Sequence, residues 1–227
     1  MNQKTAILIF ANSIHEELRN KYITGGKILF SELTRKTITT VKQTGLPFFI
    51  YTEKEQRGVT FGERFVNAIQ DVYNKDYDNL ITIGNDTPHL SKYHLIESAK
   101  QLENNTFVLG PSLDGGFYLM GLHKSQFNVD LFLKLPWQSK KLSTCISRLI
   151  ETTKIKMVTL EVLIDIDDIN DIKSISRFFK KLSGKLKKII QSLLLYKIDI
   201  ADFIVPGITT IYTYRFFNKG SPSTLFS

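Results

Sequence analysis

Asn79-Leu80-Ile81-Thr82-Ile83-Gly84-Asn85-Asp86-Thr87-Pro88 is a short apolar run that ends in a glycine, a carboxylate and a turn-forming Thr-Pro pair. A run of this length predicts a strand buried on both faces, and its polar end marks the carboxyl edge of a sheet. Upstream, Thr5 to Ala11 reads as the first strand, Lys27 to Thr44 as a helix closed by Gly45 and Pro47, Phe48 to Thr52 as a second strand and Phe61 to Tyr73 as a second helix. Downstream, a helix over Ser91 to Leu102, with Ser91 as its N-cap, leads to a strand over Thr106 to Gly110. A second strand edge follows in Pro111-Ser112-Leu113-Asp114-Gly115-Gly116-Phe117-Tyr118-Leu119-Met120-Gly121, where paired glycines let the backbone turn or approach a ligand closely. A helix over Leu142 to Thr152 and a strand over Lys156 to Leu160 come next, and the acidic turn Asp165 to Asp171 opens the last helix, capped by Asp168 or Asp167. Strands alternating with helices predict an α/β fold, a mostly parallel sheet with helices on both faces.

Composition agrees with a globular chain. Of 227 residues, 42% are hydrophobic and 23% charged, enough for a full core in one main domain. A single cysteine, Cys145, excludes an intramolecular disulfide framework and a cysteine-rich zinc site, and it reads as a small buried hydrophobe. No secretory signal is apparent, and Lys197, Asp199, Asp202 and Pro206 interrupt the most apolar late stretch, so a spanning helix is not expected and the cytoplasm is. The net charge of +8 is unevenly spread: residues 1–172 hold 20 basic and 20 acidic side chains, residues 173–227 hold 10 and 2. The neutral part is read as a ligand-binding domain (1–172) for a small molecule rather than nucleic acid, and the rest as a basic C-terminal extension (173–227).

Ligands of open α/β sheets bind beyond the carboxyl ends of strands. Three acidic groups map there: Asp86, Asp114, and the pair Asp165 and Asp167, which share one face if that segment is extended. Carboxylates gathered without histidine or cysteine are hard ligands suited to Mg²⁺ or Mn²⁺, ions that neutralise phosphate oxygens. Plainer readings stand beside this one: Asp86 as the opener of a Thr-Pro turn, Asp114 as part of a tight turn, Asp168 as a helix cap. His15, His89, His94 and His123 show no ligand spacing.

Ile83 to Leu90, Leu109 to Leu122, Pro136-Trp137-Gln138-Ser139 and Asp165 to Asp171 resemble, in order, the motifs of the bacterial DUF2064 family. That family is glycosyltransferase-like with a GT-A (nucleotide-diphospho-sugar transferase) fold, and is related to phospholactate and molybdenum cofactor guanylyltransferases. Gln56 with Gly62-Glu63-Arg64 extends the resemblance to roughly residues 5–172. It implies that Asp86 coordinates a divalent metal, Mg²⁺ or Mn²⁺, on the nucleotide phosphates, with Asp165 or Asp167 as a second metal or phosphate-side carboxylate. It further implies that the Asp114-Gly115-Gly116 turn shapes the sugar or acceptor side, with Asp114 binding hydroxyls or acting as general base. Gly84, Asn85, Tyr118 and Arg64 fall inside the matching motifs as substrate-side candidates, and Trp137 is the candidate for stacking on a ring, beside the plainer reading of a lone tryptophan as core or rim. The family's Pro-x-x-Gly-x-x-Lys-Thr-Arg-Leu loop is replaced here by Asn12 to Lys21, where Arg19, Lys21 and Lys27 are the basic residues left to hold phosphate.

The expected activity is metal-dependent transfer of a sugar from a nucleotide sugar to an acceptor. The alternatives are nucleotidyl transfer, against which the altered loop counts, and a non-catalytic protein that keeps the fold. From Asp171 to Leu195, Ile172, Ile175, Phe178, Phe179, Leu182, Leu186, Ile189, Ile190, Leu193 and Leu194 form a helical stripe opposite a lysine-rich face. It is read as a helix packed on the main domain with its basic face in water, with peripheral contact to an anionic membrane as the lesser reading.

Overall fold

The computed structural model describes residues 3–177 and 182–201. Its sheet has the order β2-β1-β3-β5-β4-β6, with β1 Thr5–Phe10, β2 Phe48–Tyr51, β3 Asn79–Ile83, β4 Phe107–Pro111, β5 Phe117–His123 and β6 Met157–Thr159. The β1–β2, β1–β3 and β4–β6 pairs are parallel, while β5 runs antiparallel between β3 and β4. The expected α/β architecture is thus present, and the reversed strand follows from the Asp114-Gly115-Gly116 turn, which makes β4 and β5 a hairpin.

Alternation along the strands splits the core in two. Ala6, Leu8 and Phe10 of β1 join one buried cluster with Phe65 and Ile69, while Ile7, Ile9 and Ala11 join another with Val41 and Leu95. The first face is covered by α3 (Phe61–Tyr73), α5 (Val129–Leu133) and α6 (Leu142–Thr152), the second by α2 (Gly26–Lys42) and α4 (Lys92–Leu102). Helix α3 starts where its sequence says it should. Thr60 accepts from the Glu63 amide while the Glu63 carboxylate accepts from the Thr60 amide, a reciprocal cap, and Phe61, Phe65, Val66, Ala68, Ile69 and Val72 form its buried stripe.

A third, smaller cluster sits beside the sheet edge. Leu29, Phe30 and Leu33 of α2 meet Ile172 and Ile175 of α7 (Ile169–Ser176), and Leu186 and Ile190 of α8 (Gly184–Ala201). The charge boundary at Ile172 therefore falls inside α7, and Ile172, Ile175, Leu182, Leu186 and Ile190 are buried in the one cluster. Phe178, Phe179 and residues 202–227 of the expected extension lie outside the described residues. Among the described residues no helix is long and apolar enough to cross a membrane.

Candidate active site at the carboxyl edge of the sheet

Between β1 and α2 the chain forms a helix, α1 (Ile14–Asn20), rather than an open loop. Ser13 caps it by accepting from the Glu16 amide, and Lys21 closes it with its own amide bound to the Glu17 carbonyl at 2.8 Å. That closure turns the Lys21 side chain inward until it is 1% exposed. Its Nζ donates to Asp86 Oδ2 at 2.9 Å and to the Ile166 carbonyl at 2.8 Å, and lies 2.9 Å from Asp167 Oδ1 and 3.3 Å from Glu17 Oε2. An ammonium has three protons, and three acceptors stand within 2.9 Å. Burial alone would push Lys21 down, but the Asp167, Asp86 and Glu17 carboxylates outweigh it and hold the ammonium well above its ordinary value. Glu17 moves the other way: burial raises it from 4.5 to about 7 against the pull of Lys21.

The other carboxylates arrive from separate strand ends. Asp86 follows β3, and its carbonyl accepts from the Ile166 amide at 3.0 Å. Thr87 Oγ1 donates to Asp165 Oδ1 at 2.5 Å, so the 163–168 segment is tied to the end of β3. Leu163 bridges Ser112 in parallel fashion just past β4, which extends the sheet edge by one residue pair. Removal from water, and then the Asp86 charge, raise Asp165 well above the ordinary carboxylate range, with Asp167 and Asp114 adding to the shift and the Thr87 hydroxyl opposing it. Asp86, Asp114, Asp165 and Asp167, expected to converge, do so.

Asp114 sits in a tight turn. Its Oδ1 accepts from Ser112 Oγ at 2.5 Å and from the Gly116 amide at 2.9 Å, and its Oδ2 is buried with no hydrogen-bond partner. Gly115 has φ +94°, and a Cβ there would lie 2.1 Å from the Lys140 carbonyl oxygen, so only glycine fits. Behind the cluster, Gly84 is buried and Asn85 donates to Thr34 Oγ1 at 3.0 Å, which ties β3 to α2.

Four other candidates are engaged in contacts of their own. Trp137 is packed against Phe61, Phe65 and Phe117, donates its indole N–H to the Phe132 carbonyl at 2.8 Å, and lies so close over Gly62 that a Cβ there would sit 2.5 Å from the ring. That ring is partly buried and packs against the core. Tyr118 is 1% exposed, with its hydroxyl on the Glu161 carbonyl at 3.0 Å. Arg64 donates to the Val59 carbonyl at 3.0 Å, and Arg19, on the exposed side of α1, pairs with Glu16 at 3.4 Å. Glu17 is the member of the cluster that the sequence reading missed, and Lys21, read as a residue left to hold phosphate, is directed instead at carboxylates of the chain itself. Their i,i+4 spacing directly after a strand end was the available signal.

The geometry bears on the expected divalent ion. Mg²⁺ sits about 2.0–2.1 Å from its oxygen ligands. The gap between Asp86 and Asp167 already holds the Lys21 ammonium at 2.9 Å from each. Among the described residues no group of three or more His, Cys, Asp or Glu side chains is disposed to hold a metal ion. As these side chains stand, they do not fit a cation in that gap.

The fold has known counterparts. A protein from Desulfovibrio desulfuricans G20, provisionally described as a nucleotide-diphospho-sugar transferase, is similar over 88% of this chain and 97% of its own, with TM-score 0.73 and 18% identity. The 4-diphosphocytidyl-2C-methyl-D-erythritol synthase of Anaerococcus prevotii DSM 20548 is similar over 79% of this chain and 100% of its own, with TM-score 0.52 and 10% identity. At these identities the likeness is one of fold. No curated protein matches the sequence. Residues 36–139, which hold the Asp86 and Asp114 turns and Trp137, match the sequence profile of DUF2064, described as uncharacterised protein conserved in bacteria, and over that stretch the chain carries the pattern of that family.

Proposed function

We propose that this protein is a transferase that moves a sugar from a nucleotide sugar to an acceptor hydroxyl. The observation that carries the reading is the convergence of Asp86, Asp114, Asp165 and Asp167 from separate segments at the carboxyl edge of a sheet that folds like the Desulfovibrio protein. Fold alone would leave the chemistry open; the residues at this edge support it. Asp114 has the geometry of a group that receives a hydroxyl. One oxygen is held by the turn, and the other is buried and unpaired, so a substrate hydroxyl placed there relieves an unsatisfied acceptor. The rigid Gly115 turn fixes that oxygen in place before substrate arrives.

Helix α1 favours sugar transfer over nucleotidyl transfer. The related nucleotidyltransferases grip a triphosphate with a glycine-rich loop after the first strand, and here that span is helical, with its lysine turned into the acid cluster. The same lysine favours a second reading, a protein that keeps the fold without turnover, because its three protons are all directed at protein acceptors.

Release of nucleoside diphosphate from UDP-, GDP-, CDP-, ADP- and dTDP-sugars separates the two. The transferase reading expects release from one donor, accelerated by acceptor, and a loss of about 10²–10⁴-fold in Asp114→Asn, the range for a general base. Equal rates in wild type and variant would remove Asp114 from the chemistry. No release from any donor would leave the second reading in place.

A further inference from the structure

We propose that Lys21 is the resident cation of this site, and that its ammonium, rather than a divalent ion, holds the carboxylates of the carboxyl edge together. The proposal concerns the charge at the centre of the cluster and stands apart from the identity of the donor.

Three observations carry it. The first is position: Nζ is the point on which Asp86 from β3, Asp167 from the segment before α7 and Glu17 from α1 all converge, at 2.9, 2.9 and 3.3 Å. Oxygen atoms from three parts of the chain around one positive centre are what a metal would otherwise organise. The second is burial. Lys21 and Glu17 side chains are each 1% exposed and Asp86 7%, so the group is assembled inside the fold and is not a surface ion pair that water can replace. The third is how the lysine is held. The Lys21 amide is fixed by the Glu17 carbonyl, its Nζ lies 5.8 Å from the centre of the buried Phe30 ring, and Ile23 and Ile166 on either side belong to the third core cluster. A divalent ion cannot enter between Asp86 and Asp167 without displacing the buried ammonium that already lies 2.9 Å from each.

The consequence is a cluster that does not take divalent cations while Lys21 is in place, and gains the capacity when Lys21 is shortened. Removing the side chain leaves Asp86, Asp167 and Glu17 facing the space the ammonium filled, hard oxygen donors of the class that binds Mn²⁺ once they draw in around it.

The test is titration of Mn²⁺ alone, read by loss of the free-ion electron paramagnetic resonance signal, on full-length wild type, Lys21→Ala, and the double variant Lys21→Ala/Asp167→Asn. Wild type is expected to leave the signal unchanged. Lys21→Ala is expected to bind one Mn²⁺ about tenfold or more tightly than wild type, since the repelling ammonium is gone, and to show a Mn²⁺-dependent rise in its unfolding midpoint. The double variant is expected to lose both. Stoichiometric Mn²⁺ binding by wild type that Asp86→Asn abolishes would overturn the proposal, and so would a folded Lys21→Ala that gains no binding. If Lys21→Ala folds only when Mn²⁺ is supplied, the exchange of one cation for the other is shown directly. Because the probe is the ion and no nucleotide is present, failure here leaves the transferase reading untouched, and failure to find a donor leaves this one untouched.

Discussion

Glu17 shows how much one buried side chain can set the behaviour of the site. Its carboxyl is raised by burial from 4.5 to about 7 while it faces Lys21, Asp86 and Asp167. A raised acid favours the folded state fully below its ordinary value and loses that contribution as pH climbs through the folded one. The protein should therefore lose stability between about pH 4.5 and pH 7, and Glu17→Gln should flatten that part of the profile, as measured by urea unfolding across the range. Asp171, raised to about 6 chiefly by burial, adds a slope of the same sign that the variant retains. A variant profile as steep as wild type would mean that Glu17 titrates normally. At this scale the sequence is informative about the acids and names the base without its partners. Asp86, Asp114, Asp165 and Asp167 announce themselves by following apolar runs. Lys21 ends the altered loop Asn12 to Lys21, where it reads as one of three basic residues left for phosphate, and only the inward turn at the end of α1 shows that it is buried among carboxylates. For Trp137 the plainer of two readings, core or rim over stacking, matches the packing, and the contact with Gly62 that sets it against the core joins residues far apart in sequence.

Among the elements, α8 carries the clearest energetic consequence. Leu186 and Ile190 are fully buried against α2 and α7, and Leu193 rests on the backbone at Gly25, just before α2 begins. Leu186→Ala should cost about 2–5 kcal/mol, the range for emptying a packed leucine site, as read by denaturant unfolding. A cost under about 1 kcal/mol would mean that α8 does not pack as described. The stripe from Ile172 to Leu194 made this packing legible in advance, because helical periodicity reports which face is covered. The same reasoning recovered α3 and α6 with the ends seen in the structure. It missed α1, whose polar composition hides a helix stabilised by its cap and by buried charge. It also left β5 as an edge, although a glycine pair between two apolar runs is a hairpin signal that implies reversed direction.

Across the molecule, the sheet brings distant residues to one edge and the third cluster braces that edge from below. Ile166 lies in this cluster while its carbonyl accepts from Lys21, so packing by α7 and α8 and the charge balance of the site are joined through one residue. The central claim is that this edge binds a sugar nucleotide. The most direct measurement is the unfolding midpoint with UDP, GDP, CDP, ADP and dTDP and a sugar conjugate of each, in EDTA and in Mn²⁺, on wild type and Asp114→Asn. A ligand of the native state must raise the midpoint. The account predicts that one sugar conjugate raises it in EDTA by more than its own diphosphate does, and that Asp114→Asn loses the difference. A shift in Mn²⁺ alone would keep the donor and remove Lys21 as the resident cation, and no shift with any of these ligands under either condition would contradict the claim.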